Sequence, residues 1–168
     1  MVRKLKLAVN EAKSSVSRPW LVRYLGFRIS RIFGNTRVCL HEKSLRRFRE
    51  KVRAITARDR GRSVESLVRE LNEYIRGWWA YFRIGKSQTL TRPLNDWILR
   101  RLRAYVWIQW RLPRTKVRNL LARGVHRNWA MALGNTRKGP WRISKQSPLQ
   151  HALPERYFTQ KLGLLLLG

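Results

Sequence analysis

The stretch GWWAYFRIGKSQTLTRPLNDWILRRLRAYVWIQWR, residues 77–111, decides the fold, and it holds five of the eight tryptophans of the chain. Within it Leu94, Trp97, Ile98, Leu102, Tyr105, Val106 and Trp110 recur at three- and four-residue steps. That spacing predicts one buried face of an α-helix. The helix is expected to open near Thr91. Pro93 in its first turn then lacks no needed hydrogen bond, and Asp96 lies near the positive end of the helix dipole. The preceding helix is expected to end near Phe82, with Gly85, Lys86, Ser87 and Gln88 as the turn between the two. On the other side of the second helix, Arg100, Arg103, Trp107 and Arg111 also follow helical spacing. The expectation is a rod with an apolar seam for its own protein and an arginine-rich face, with an exposed indole, for a partner.

Toward the N-terminus the same period continues. Val64, Leu67, Val68, Leu71, Ile75, Trp78, Trp79 and Phe82 form a seam behind Ser63, a residue type suited to an N-cap. Glu65 and Arg69 stand in the favourable i,i+4 order. Leu45, Phe48, Val52 and Ile55 mark an earlier helix with Ser44 as its cap. Arg46, Arg47, Arg49, Lys51 and Arg53 occupy its solvent side. Asp59-Arg60-Gly61-Arg62 separates the two. Three amphipathic helices with short connections predict a three-helix bundle. Ahead of Leu40 the pattern differs: a short strand within Leu5–Asn10, then Val16–Trp20 and Arg23–Ile29 as a β-hairpin. So few strands cannot cover both of their faces, and they call for more sheet or a neighbouring domain.

Toward the C-terminus, Pro113 closes the third helix. A short basic helix around Leu120 and Leu121 follows, closed by Gly124, and another over Asn128–Leu133, closed by Gly134. From Asn135 the chain reads as an irregular tail, with Trp141, Leu149, Leu153, Tyr157, Phe158 and Leu162 as anchors onto the bundle.

Charge points to the partner. Lys and Arg number 38 against 9 Asp and Glu, a formal charge of +29, while 43% hydrophobic residues suffice for a core. Such an excess repels itself unless a polyanion compensates. Aromatic residues interleaved among arginines mark that polyanion as nucleic acid, since rings stack on bases while cations track phosphates. Arg114, Lys116, Arg118, Arg123 and Arg127 form a second basic patch.

The chemistry a catalyst needs is missing from the sequence. Asp59 and Asp96 are the aspartates of the chain, and neither lies in the carboxylate cluster that two-metal phosphoryl transfer requires. Gly85-Lys86-Ser87 resembles the end of a phosphate-binding loop, but the required earlier glycine is replaced by Ala80. Cys39 alone excludes an internal disulfide and a multi-cysteine zinc site. His41, His126 and His151 are too scattered for a metal cluster and read as surface or capping residues. No cofactor, no metal and no catalysis by the chain itself are expected. Leu164–Leu167 falls far short of the roughly 20 residues of a membrane span, so a cytoplasmic protein without a membrane partner is expected.

The order of motifs resembles the C-terminal part of group II intron-encoded proteins, the reverse transcriptase/maturases. Val9-Asn10-Glu11, Lys13-Ser14, Arg18-Pro19-Trp20 and Tyr24-Leu25-Gly26-Phe27 are similar to the end of that family's palm. Ile75–Phe82, Asp96-Trp97-Ile98, Arg100–Arg103, Trp107 with Trp110, and Lys138–Arg142 are similar to its maturase-specific domain X, the thumb. The resemblance implies a mainly α fold: a three-helix thumb-like bundle with additional short helices, preceded by a small β-hairpin remnant of a palm. It divides the chain into residues 1–38, the palm end, and 39–168, the domain X/thumb. It implies that Leu25, Gly26 and Phe27 grip a primer end, where a glycine lets nucleic-acid backbone approach closely. Lys13 falls at a pyrophosphate-side proton donor of a complete enzyme. Intron RNA, or an RNA/DNA template–primer, is the implied partner. The expected contacts are Arg100, Arg103, Trp107, Arg111, Arg114, Lys116, Arg118, Arg123, Arg127, Arg137 and Lys138. The family's catalytic aspartates and fingers have no counterpart in these 168 residues. The chain therefore reads as a free-standing maturase module, as a split half that needs an upstream fingers/palm polypeptide, or as a remnant.

Overall fold

The computed structural model describes residues 16–32, 35–57, 61–85 and 88–168. The described part is mainly helical, with a small antiparallel sheet at its N-terminal end. Strands β1 (Arg23–Tyr24), β2 (Phe27–Ile32) and β3 (Asn35–Leu40) pair in sequence order, Tyr24 opposite Phe27 and Phe27 opposite Leu40. The sheet is displaced from the expected hairpin. Val16–Trp20 forms no strand, and the second full strand lies after Ile29. In β3 the inward residues are confined to its last two positions, so the alternation that marks a strand is weak. The strand runs across position 38 and leads into the first helix. Lys13 and the segment Leu5–Asn10 lie outside the described residues.

Helices α1 (Glu42–Ile55), α2 (Val64–Phe82) and α3 (Gln88–Gln109) form the bundle. Ser63 caps α2 as expected, accepting from the Ser66 N–H at 3.2 Å. The cap of α1 is His41, whose Nδ1 accepts from the Lys43 N–H at 3.1 Å. Ser44 instead fastens the sheet, its hydroxyl donating to the Gly26 carbonyl at 2.9 Å. Helix α3 begins at Gln88, earlier than Thr91, so Pro93 lies in its second turn and forfeits a backbone hydrogen bond.

Beyond Pro113 the two short helices expected from the sequence are present, as α4 (Pro113–Leu121) and α5 (Arg127–Gly134). The chain from Asn135, expected as an irregular tail, forms α6 (Pro140–Ile143), α7 (Ser147–Ala152) and a single π-helical turn over Tyr157–Lys161. Periodicity failed in that last part because helices this short complete too few turns to show it. Gly124, at φ +79°, ends the loop after α4 as expected. Gly134, expected as a stop, is the last residue of α5. A Cβ there would overlap Val117 Cγ2 and stand 3.3 Å from the Pro113 carbonyl oxygen. Its role is close helix–helix approach.

One hydrophobic core joins the bundle to these later helices. Ile98, Leu102 and Tyr105 of α3 are buried with Phe48, Val52, Leu67, Val68, Leu71 and Ile75. Ile143, Leu149, Leu153 and Phe158 belong to the same cluster. The side of α3 expected to face solvent is the side the later helices cover. Trp107 is 2% exposed, with the Lys116 ammonium of α4 lying 4.9 Å from its ring centre. The expected exposed indole is therefore a core residue, sealed by α4.

The last residues are held by side-chain amides of α2 and α3. Asn72 of α2 donates to the Gly163 carbonyl and accepts from the Leu165 N–H, at 2.7 and 2.8 Å. Asn95 of α3 pairs both ways with Leu167, each bond 2.9 Å. The two amides take the place of a neighbouring strand, and Leu164 and Leu167 are buried beside them. Among the described residues, no helix is long and apolar enough to cross a membrane.

Replacing Trp107 with alanine tests this packing. Loss of a fully buried tryptophan is expected to cost about 3–5 kcal/mol, read as a lower midpoint in denaturant unfolding. A near-neutral result is what a surface ring would give.

Candidate nucleic-acid interface

The arginines of α3 illustrate how location decides the use of a charge. Arg100 donates from Nη2 to the Trp141 carbonyl at 3.0 Å, and its guanidinium lies 3.8 Å from the centre of the Trp141 ring. Arg103 donates from Nε to the Leu153 carbonyl at 2.9 Å, just past the end of α7. A cation there meets the negative end of a helix and an orphan carbonyl. Burial pulls the Arg103 guanidinium below the ordinary arginine value, opposed by the charges of Asp96 and Glu155. Arg100, Arg103 and Trp107, spaced as one helical face, thus dock α6, the end of α7 and α4 in turn. The sequence spacing was right and the environment was not: a basic stripe on a central helix reads the same as one facing solvent.

Arg101 makes the matching connection on another side of α3. Its Nε donates to the Thr56 hydroxyl at 2.6 Å, and that hydroxyl donates to the Val52 carbonyl at 2.7 Å. Trp97 lies between the guanidiniums of Arg53 and Arg101. These cations are structural.

The exposed charge lies further out. Pro113 starts α4, where its missing N–H costs nothing. Leu120 is buried and Val117 packs against Gly134, which turns Arg114 and Arg118, one helical turn apart, to solvent. Arg111, Arg127, Arg137 and Lys138 are exposed as well. Their side chains make no hydrogen bond or ion pair among the described residues. Lys116 and Arg123 differ. Lys116 covers Trp107, and Arg123 donates to the Asn119 carbonyl while stacking near Trp110 and Tyr157. From Gln88 to Gly168, Asp96 and Glu155 are the only carboxylate side chains. The acidic residues Glu65, Glu70 and Glu73 ride on α2, where Glu70 pairs with Arg62. The C-terminal half therefore presents positive charge with little acidic compensation, as does the solvent side of α1 with Arg46, Arg47, Arg49 and Lys51.

Leu25-Gly26 forms the tight turn between β1 and β2, with φ +50° and +85°. Two such residues between the paired Tyr24 and Phe27 make the mirror-image turn favoured by hairpins. Leu25 is a strained choice at positive φ, and its side chain is exposed. The turn is fastened from below. The Gly26 carbonyl accepts from the His41 N–H and the Ser44 hydroxyl, each at 2.9 Å. The Tyr81 hydroxyl donates to the Leu25 carbonyl at 3.1 Å. A Cβ on Gly26 would come within 2.8 Å of Ser44 Oγ and 3.1 Å of the Phe82 ring. The close approach that Gly26 permits is to α1 and α2 of its own protein. Phe27 stacks on Tyr81 and tilts against Phe82.

Among the described residues no group of His, Cys, Asp and Glu side chains could hold a metal ion. His41 and His126 each accept from a backbone N–H at a helix start. Sequence reasoning passes over Trp129, which projects from α5 into solvent. The signal was present: Ala130, Leu133 and Gly134 are the buried stripe of α5, and Trp129 falls off it.

The family described as group II intron, maturase-specific domain matches residues 45–124. The matched stretch contains α2, α3, α4 and nearly all of α1, and ends at the glycine that follows α4. The sheet and everything after Gly124 lie outside it. This stretch supports an intron-associated, maturase-type role for the bundle. No curated protein matches the chain.

Proposed function

We propose that this chain is an RNA-binding maturase/thumb module of a group II intron-encoded protein, holding folded intron RNA and, in its family's other role, a template–primer duplex. The observation that carries the reading is the free arginine row Arg111, Arg114 and Arg118. It stands at the outer end of a stretch similar to the maturase-specific domain. Arg127, Arg137 and Lys138 extend that row beyond the matched stretch. Arg100, Arg103, Trp107 and Lys116 serve the interface indirectly, by fixing α4, α6 and α7 on α3. Leu25 and Gly26 present a rigid turn at the other end of the bundle, suited to bracing a primer end. The reading assigns binding to this chain and leaves chemistry to other groups.

The α4 row has a direct test. Replacing Arg114 and Arg118 together with alanine is expected to leave stability unchanged, because both side chains are exposed and unpaired. For binding to a group II intron transcript, the slope of log K against log salt is expected to flatten by about 0.7–0.9 per lost phosphate contact. An unaltered slope would remove α4 from the interface.

A second reading has its own observation. One face of the sheet carries an apolar groove of about 440 Å³ lined by Pro19, Val22, Tyr24, Phe27, Ile29 and Val38. Trp20, Leu21 and Val22 beside it are exposed. Apolar surface of this kind favours a covering polypeptide, which fits the thumb half of a split reverse transcriptase. Mixing the chain with a fingers/palm polypeptide is then expected to yield RNA-templated DNA synthesis that neither half shows alone. Inactivity of the mixture, with both halves folded, would dismiss the split-enzyme reading.

A further inference from the structure

All eight tryptophans lie among the described residues, and seven of them touch another ring or a cation. Trp129 is the exception. It is 62% exposed and has no partner of either kind among the described residues. An indole is rarely left this open without a use, since covering one buries about 150–250 Å². Its position is set by α5, which buries Ala130, Leu133 and Gly134 and so turns the preceding residue outward.

The ring forms one wall of a groove of about 440 Å³, completed by Val125, His126, Gln146, Pro148 and His151. Val125 and Pro148 give it apolar lining, and His126, Gln146 and His151 offer hydrogen-bonding groups. His126 Nδ1 already accepts from the Asn128 N–H, which leaves Nε2 of the neutral ring as a donor. His151 also lines a second cleft, of about 560 Å³, with Arg123, Arg156, Tyr157 and Lys161. The aromatic wall with its polar groups and the cationic cleft therefore meet at His151. That is the sequence of environments along a single nucleotide: base face, base edge, phosphate. A duplex hides its base faces and could use only the cations.

We propose that this surface seats one unpaired nucleotide of an RNA, its base stacked on Trp129 and its phosphate at Arg156 and Lys161. The site rests on the RNA-binding reading above and adds to it a preference for single-stranded segments next to the helical RNA that the α4 row contacts. It also lies beyond the stretch that matches the maturase-specific domain, so the region after Gly124 acquires a binding role of its own.

The test compares the full-length chain with Trp129→Ala and Trp129→Phe. Binding is measured to a short single-stranded oligoribonucleotide and to an RNA duplex of the same length. Circular dichroism checks that folding is intact, as expected for an exposed side chain. Loss of one stacked base is expected to weaken single-strand binding about 5- to 100-fold. Trp129→Phe, which keeps a stackable ring, is expected to stay close to the parent chain, and duplex binding is expected to be unchanged for both. Replacing Arg156 and Lys161 with alanine is expected to flatten the single-strand salt slope by about 0.7 per lost contact. Single-strand affinity unchanged in Trp129→Ala, with the parent binding both RNAs, would overturn the site and leave the RNA-binding reading standing. An equal loss of single-strand and duplex binding would also overturn it. A parent chain that binds neither RNA would overturn both.

Discussion

Enclosure of α3 on all sides is the constraint on which the rest of this structure depends. A helix with Leu94, Ile98, Leu99, Leu102, Ala104, Tyr105, Val106 and Trp107 all buried cannot be covered by two neighbours, since each neighbour shields only part of its circumference. Helices α1 and α2 take one part. The remainder has to be closed by whatever follows in the chain, and α4, α6 and α7 do so with a few fully buried apolar side chains each, among them Leu120, Ile143 and Leu149. Arg100 and Arg103 make up the difference by reaching the Trp141 and Leu153 carbonyls. These half-buried arginines are thus a solution to a packing problem. They tie short helices, which could not persist alone, to a long one.

This arrangement separates two kinds of positive charge that the sequence presents as one. Cations that stack on Trp97, Trp107, Trp110 and Trp141 are engaged within the fold. Cations on the outer side of α4, in the α5–α6 connection and on the solvent side of α1 at Arg46, Arg47, Arg49 and Lys51, together with Arg156, are free of such contacts. Only the second kind can exchange counterions for phosphates without unfolding anything. The overall +29 charge makes a polyanion the natural partner.

The bundle is largely legible in the sequence because α1, α2 and α3 are long enough for a 3.6-residue period to repeat several times. Ser63 as a cap and the seam from Val64 to Ile75 can be read directly. The choice of which face of α3 is wet cannot. Arg100, Arg103 and Trp107 form a stripe whose meaning depends on residues as many as fifty positions later, and no local pattern encodes that. The cap of α1 escapes a local reading because Ser44 and His41 both offer acceptors, and the docking of Gly26 onto Ser44 decides between them. The helices after Asn135 escape it through brevity, whereas α4 and α5 are legible from Pro113, Gly124 and Gly134 around them. Of the candidate interface, Arg111, Arg114, Arg118 and Arg127 are identifiable as basic residues. Trp129 requires knowing which side of α5 is buried.

If the free cations mark the interface, the α4–α5 side of the molecule is the RNA-binding side, and α2, with Glu65, Glu70 and Glu73, is the side RNA avoids. Ultraviolet cross-linking of the full chain to a group II intron transcript, with the linked peptides mapped by mass spectrometry, addresses that claim most directly. The expected result is cross-links within residues 111–138, Trp129 among them, and none on the exposed face of α2. Cross-links concentrated on α2, with residues 111–138 unlabelled, would contradict it.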